Sequence, residues 1–408
     1  MSLLDHAIWW HVYPLGAVDA PIHGRRVLHF PGEDFGHRLR KLDGWLDYAI
    51  ELGCSGLLLG PVFESTTHGY DTVDHFRLDG RLGDDADWEH FVGECHRRGL
   101  AIVLDGVFNH LGVLHPLVED SLGGMVRGRD GKPVPWEGHG DLALLDHSDP
   151  KVAALVVDVM LHWLGRGAAG WRLDVAYAVP AEFWTTVIGR VRGAYPDAIF
   201  IGEVIHGDYA EFGRAASLDS ITQYELWKAI WSSLNDSNMW ELAWALERHE
   251  EFSRELVMQT FIGNHDVDRI ASKVGDVGAA LAAVILLTVP GMPSVYYGDE
   301  QGFRGEKVEG QWADAPVRPP LPPTPEDLAP NGEWLFRHYR DLIGVRRRNA
   351  WITRGRLAVT GKQDEWISYD VTGDHDRMSV RIDLAPQAQA IVTVNGTRAY
   401  HWSAVHPH

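Results

Sequence analysis

The feature that most constrains this chain is a repeated alternation of short apolar strands with helices. Candidate strands run over Ala7–Pro14, Ser55–Pro61, Ala101–Asp105, Gly170–Asp174, Ala198–Glu203, Ser220–Gln223, Val257–Ile262 and Ser294–Tyr297. Helices are expected between and after them, over Leu39–Leu52, Trp88–Arg98, Val152–Leu164, Ala181–Arg192, a Trp-rich stretch from Tyr224 to Glu247, Val277–Leu287 and Glu333–Arg347. The run Gly56-Leu57-Leu58-Leu59 has no polar alternation, which suits a strand buried on both faces of a parallel sheet. Gly53 and Gly99 stand where two helices must stop. Eight such units, joined by right-handed crossovers, close into a (β/α)8 TIM barrel. An open doubly wound sheet is the alternative, and no glycine-rich phosphate turn after the first strand speaks for it.

Residues 111–149 carry glycine, proline and charge with little periodicity, and are expected to form a short insertion after strand 3. Residues 1–110 and 150–349 are then the two parts of the barrel. Residues 350–408, with alternating stretches at Trp366–Val371 and Met378–Ile382, predict a small C-terminal antiparallel β domain. Loops are expected over residues 15–38 and over the Pro-rich segment 298–331.

A net charge of −20 repels nucleic acid and anionic membranes, so neither is expected as a partner; it leaves the oligomeric state open. Only Cys54 and Cys95 are present, which excludes a disulfide framework. No signal peptide is read at the N-terminus, and no uncharged run is expected to reach the roughly 18 residues a membrane span needs. The expected location is cytoplasmic.

Four strand ends are polar: Asp105 to His110, Arg172 with Asp174, Glu203, and Asn264-His265-Asp266. In a barrel these open on one face. Side chains alternate along a strand, so Arg172 and Asp174 point one way and Trp171 and Leu173 the other. An arginine beside an acid holds the carboxylate ionised. Asp105 is expected to be structural, bonding backbone amides. A lone Arg-x-Asp is usually an inert pair, but three acids, two histidines and an arginine on one rim read as catalytic. Two carboxylates facing one bond suit glycosidic cleavage. Metal-assisted hydrolysis through His110, His265 and the acids is the competing chemistry, although no paired-histidine metal motif accompanies them. A serine or cysteine nucleophile lacks its G-x-S-x-G context, and both cysteines fall in or beside core elements.

The stretches Asp105-Gly106-Val107-Phe108-Asn109-His110, Gly170-Trp171-Arg172-Leu173-Asp174, Gly202-Glu203-Val204 and Gly263-Asn264-His265-Asp266 resemble the four signature blocks of the α-amylase family, glycoside hydrolase family 13, in that family's order. His68 to His75 resembles its second βα loop and Tyr296 to Glu300 its eighth strand end; the resemblance spans residues 7 to 348. It implies that Asp174 is the nucleophile, Glu203 the general acid/base and Asp266 the group that grips the ring hydroxyls. It also implies that Arg172 keeps Asp174 ionised, that His110 and His265 bond the reacting sugar, and that Tyr70 stacks beneath it.

Within the family, the Asp174 and Glu203 blocks look similar to the neopullulanase and cyclomaltodextrinase branch. Tyr177-Ala178 departs from it, standing where that branch has Asn-Glu and secreted α-amylases have Lys-His. The implied activity is retaining hydrolysis of α-1,4-linked glucans, maltooligosaccharides or cyclodextrins through a glycosyl-enzyme intermediate. The alternative is a transglycosylase, phosphorylase or isomerase acting on a small α-glucoside such as sucrose or trehalose; for phosphorolysis, Arg304 and Arg318 would supply the anion site. A binding protein that has lost the chemistry would show decay among the three acids, and none is seen. No cofactor is required. Calcium is the one metal the resemblance brings in, with Asn109 as its candidate ligand and no acid-rich cage in the insertion. Trp136 and Trp312 lie in the two loops and are candidate sugar platforms.

Overall fold

The computed structural model describes residues 2–22, 36–310 and 312–404. Eight parallel strands close on themselves: β1 Trp9–Val12, β2 Gly56–Leu59, β3 Ala101–Gly106, β4 Gly170–Leu173, β5 Ile199–Gly202, β6 Ser220–Thr222, β7 Val257–Phe261 and β8 Met292–Tyr296. Each pairs with its neighbours in chain order, and β8 returns to β1 with Trp9 opposite Ser294 and His11 opposite Tyr296. Alternation sorts the side chains into two layers. Trp9, Leu58, Val103, Ile201 and Met292 form one small buried cluster in the barrel interior. Trp10, Leu57, Ile102, Leu104, Trp171 and Leu173 face outward into the larger core shared with the helices. Asp105 has the parity of Val103, so it points inward, and it sits opposite Arg172 across the β3–β4 ladder.

Local chemistry sets the helix ends. Asp84 and Asp87 form a reciprocal capping box that starts Asp85–Arg97. The Asp149 side chain accepts from the Lys151 N–H, with Pro150 at the first helical position of Pro150–Gly165. Gly53, at φ 100°, ends Asp43–Leu52 in the left-handed region.

Two expectations are corrected. The Trp-rich stretch is two helices, Tyr224–Asn235 and Trp240–Ser253. Between them Ser237 has φ 50°, and Asn238 Oδ1 accepts from the Trp240 N–H at 3.1 Å, so polar side chains compete for the backbone and break the helix. Residues 277–298 also contain no Asp, Glu, Lys or Arg, so an uncharged run longer than a membrane span does exist. The helix Ile270–Thr288 is long and apolar enough to cross a membrane by length and composition, and among the described residues it is the one helix that is. From Gly278 to Thr288 every residue is buried in this fold, where it packs against the helices Tyr224–Asn235 and Glu333–Arg348. It starts seven residues before the expected Val277, continuing through Gly275, whose φ 69° and ψ 178° kink it.

The insertion is more ordered than its sequence suggests. His110–Gly112, His139–Leu144 and Pro135–Trp136 form a three-stranded antiparallel sheet, and Gly128–Arg129 pairs with Lys132–Pro133. Strands of two to six residues are too short to leave a periodic signature. Of the expected loop over 15–38, Pro14–Ala17 is a helical turn and residues 23–35 lie outside the described residues. The C-terminal sheet has five antiparallel strands in chain order from Arg356 to Ser403. It is tied to the barrel where Glu250 Oε2 accepts from the Leu357 N–H at 2.7 Å and where the Tyr400 hydroxyl meets His338 Nδ1 at 2.6 Å.

Candidate active site

The polar strand ends open on one cleft of about 1440 Å³, whose lining includes Tyr70, His110, Asp174, Glu203, Asp266, Trp136 and Trp312. Arg172 and His265 lie behind that surface, both buried. All seven residues singled out in the sequence therefore meet at the C-terminal end of the barrel.

Arg172 holds the floor together. Its Nη1 donates to both Asp105 oxygens at 2.7 Å and lies 3.4 Å from Asp174 Oδ1, while Nη2 lies 2.6 Å from Glu203 Oε1. This corrects the expected role of Asp105. Asp105 bonds side chains rather than backbone amides: besides Arg172 it accepts from the Tyr70 hydroxyl at 2.9 Å. Arg172, in turn, favours the charged form of Asp174 but is outweighed. Burial and then the neighbouring Glu203 carboxylate push the Asp174 carboxyl well above the usual range, and Arg172 offsets this only in part. Register explains the difference. Asp105 faces Arg172 directly across the ladder, whereas Asp174 lies past the end of β4.

On the opposite wall, Asp266 is bracketed by cations and donors. Its Oδ2 lies 2.9 Å from His265 Nε2 and its Oδ1 3.0 Å from Arg318 Nη2. Burial works against its charge, yet His265, Arg318 and Arg172 together hold the carboxyl well below the usual carboxylate range. Arg318 also donates to Asp314 at 2.9 Å and from Nε to the His265 carbonyl at 2.8 Å. Arg304 pairs with Asp276 at 2.5 Å on the surface. Both arginines proposed for an anion are thus committed to acids of the chain. Tyr70 stacks on His265, ring centroids 5.2 Å apart and planes within 9°, and bonds it through the hydroxyl.

His110 Nε2 donates to the Tyr70 carbonyl at 3.1 Å, and Nδ1 accepts from the Asn109 side-chain amide at 3.2 Å. Burial pushes its pKa down to about 4, so it works as a neutral donor. Trp136, brought across by the insertion sheet, lies parallel to it at 6.1 Å. The surroundings of Asn109 do not fit a calcium ion. Its Nδ2 is spent on His110 and its backbone carbonyl accepts from the Leu145 N–H at 3.1 Å, which leaves Oδ1 as its one uncommitted oxygen, and among the described residues no group of acids gathers there to complete a cage. Among the described residues, the group of acids and histidines close enough to share a metal is His37, Asp84 and Asp87, where Asp87 is bonded to Arg40 and to the helix cap.

Sequence reasoning missed the residues that grip Glu203. The Tyr224 hydroxyl donates to Glu203 Oε1 at 2.9 Å and itself accepts from Asn264 Nδ2 at 2.8 Å. The Val175 N–H donates to Glu203 Oε2 at 2.9 Å. Val175 does so from φ 40°, ψ 44°, a left-handed conformation rare for a β-branched residue. Tyr224 stands two positions past β6, and reading that strand end as polar would have found it.

Comparison with known proteins gives the same grouping. A family model described as "Alpha amylase, catalytic domain" matches residues 39–130 and 137–318. The chain is 28% identical over 388 residues to a cyclomaltodextrinase of Geobacillus thermopakistaniensis, covering 88% of this chain and 64% of that protein. It is 29% identical over 351 residues to neopullulanase 2 of Thermoactinomyces vulgaris, covering 79% and 58%. It thus spans about six-tenths of the length of these relatives. Among solved structures, the ligand-free cyclic α-maltosyl-(1→6)-maltose hydrolase from Arthrobacter globiformis superposes with a TM-score of 0.81 at 26% identity, covering 99% of this chain and 98% of that one.

Proposed function

Because the chain belongs to the alpha-amylase family, we propose that it is a retaining glycoside hydrolase cleaving α-1,4 bonds in maltooligosaccharides, cyclodextrins or related α-glucans. The observation that carries this reading is the single Arg172 guanidinium touching Asp105, Asp174 and Glu203 in the floor of an open cleft, with Asp266 facing them. Two carboxyl groups beside one cation suit a reaction in which one gives up a proton while the other attacks. In the productive form Glu203 carries that proton and gives it to the leaving oxygen as an Asp174 oxygen attacks the anomeric carbon. Water then displaces Asp174 from the sugar, losing its proton to Glu203, so the configuration is retained. Asp266, ionised throughout, takes hydrogen bonds from the ring hydroxyls and favours the cationic transition state. Tyr70 supplies an aromatic face beneath the sugar, and neutral His110 holds the Tyr70 backbone carbonyl through its Nε2–H. With Arg304 and Arg318 both paired, water is favoured over phosphate as the acceptor.

The test is a product time course on maltose, maltotriose, β-cyclodextrin, pullulan, isomaltose, sucrose and trehalose, with and without phosphate. Ring opening or short maltooligosaccharides in water alone are expected. Asp174→Ala and Glu203→Gln should each lower kcat on the order of 10⁴-fold with the fold unchanged. Activity confined to a disaccharide, or dependent on phosphate, would move the protein to the transferase reading.

A further inference from the structure

We propose that the outer face of the helix Trp240–Ser253, with the pocket at its C-terminal half, is a second carbohydrate-binding site that holds the distal part of a long α-glucan running out of the cleft past Glu203. The choice of ligand rests on the hydrolase reading above, whereas the site lies outside the catalytic cleft. The pocket has a volume of about 350 Å³ and is lined by Gly207, Asp208, Arg214, Arg248, Glu251 and Phe252, none of which lines the catalytic cleft. That volume is at the small end for a ligand pocket. Its two acids and two arginines sum to zero charge on a chain of net charge −20. No excess of either sign selects an ion. Carboxylate acceptors and guanidinium donors side by side match the hydroxyls of a neutral sugar, each of which can donate and accept.

Arg248 joins the pocket to an aromatic row. Its Nε donates to Glu225 at 2.7 Å, and its guanidinium carbon stands 4.8 Å from the Phe252 ring centroid and 5.3 Å from that of Trp244. Residues four apart share one helix face, about 6 Å apart along the axis, so Trp240, Trp244 and Arg248 lie in line. Trp240 and Trp244 are 51% and 52% exposed, the most exposed tryptophans among the described residues. Trp240 is held in place: its Nε1 donates to Asp364 at 2.7 Å, and Lys362 Nζ lies 5.4 Å from its ring centroid. An indole fixed before the ligand arrives loses little rotamer freedom on binding, and its face suits the apolar face of a sugar. The row also connects to the chemistry. Glu203 and Ile205 line the catalytic cleft, while Gly207 and Asp208 line the second pocket. Four residues of extended chain reach about 14 Å at most, so the two sites are neighbours on the side of the proton donor. One glucan held at both makes the second contact intramolecular, a gain for long chains alone.

The test follows the indole N–H signals of Trp240 and Trp244 by NMR in the full chain carrying Asp174→Asn, assigned through Trp240→Phe and Trp244→Phe. Maltoheptaose should move both signals saturably. Adding Trp244→Ala, a change at a half-exposed position that leaves the core untouched, should weaken the affinity read at Trp240 by about threefold or more. Signals that maltoheptaose leaves in place, or an affinity indifferent to Trp244→Ala, overturn the proposal. So does inorganic phosphate moving them at lower concentration, which would mark an anion site, or protein concentration alone moving them, which would mark contact with a second copy. In the active enzyme, Trp244→Ala should lower kcat/KM on maltoheptaose relative to that on maltotriose by about threefold or more, and an unchanged ratio overturns the link to the cleft. A wild type inactive on every α-glucan would count against the hydrolase reading, and the indole titration would still judge the second site.

Discussion

Replacing Arg172 by methionine keeps an apolar stem in the barrel and removes its only contact shared by three acids. The guanidinium touches Asp105 and Glu203 at 2.6–2.7 Å and Asp174 at 3.4 Å. At charge separations near 4 Å and an effective dielectric of 20, each such pair is worth about 4 kcal/mol before desolvation. Sparing the cation its own desolvation returns several kcal/mol, so the net loss at neutral pH should be about 3–5 kcal/mol, as for other broken buried pairs. The loss should also depend on pH with a defined sign. Without Arg172, which offsets part of its rise, the Asp174 carboxyl stands still further above its unfolded value near 4. Its contribution is intact below the unfolded pKa and is lost as pH rises through the folded one. Urea unfolding followed by tryptophan fluorescence at pH 4.5 and pH 8 should therefore show a small deficit at the lower pH and the full one at the higher. Equal deficits at the two pH values, or a deficit below about 1 kcal/mol at pH 8, would refute the idea that Arg172 neutralises the floor.

Three further outcomes are expected. Arg318→Met removes one of the groups holding Asp266 low, so the Asp266 carboxyl-carbon NMR signal, assigned with Asp266→Asn, should titrate at higher pH than in wild type; an unmoved signal would mean that His265 and Arg172 hold that charge without it. His110, pushed down to about 4 by burial, should show no protonation between pH 8 and 5 in a proton NMR titration assigned with His110→Asn. Because its folded pKa lies below the unfolded value near 6.5, it contributes stability above that value, and the contribution falls away as pH drops through about 4. EDTA treatment followed by thermal unfolding should leave Tm unchanged, since among the described residues no group of acids gathers beside Asn109; a drop restored by calcium would overturn that assignment.

The barrel was legible because each of its strands is a short apolar run ended by punctuation that any eightfold repeat must share. Trp171 and Leu173 against Arg172 and Asp174 could be sorted by parity alone, and the structure places the first pair in the outer core. What the sequence hid is lateral. That Asp105 faces Arg172 depends on the register between strands more than sixty residues apart, which no local pattern encodes. The role of Tyr224 is invisible for the same reason: its partners, Glu203 and Asn264, sit on two other strand ends. The insertion sheet failed for a different cause, since Pro135–Trp136 is too short to show a period yet carries the indole that lies parallel to His110. The uncharged run at 277–298 is masked in the sequence because its helix reads as one more member of the strand–helix alternation, and only burial separates a barrel helix from a membrane span of similar composition.

Val175 has a bearing on how this protein would respond to selection. A valine held at φ 40°, ψ 44° forgoes about 1–2 kcal/mol that glycine at the same position would recover. A screen for heat resistance alone should therefore favour Val175→Gly. The same change frees the peptide whose N–H holds Glu203, so the gain in melting temperature would come with a loosened acid and slower turnover. Stability and rate are opposed here in one pair of backbone angles, and lineages kept under demand for activity should keep the awkward residue.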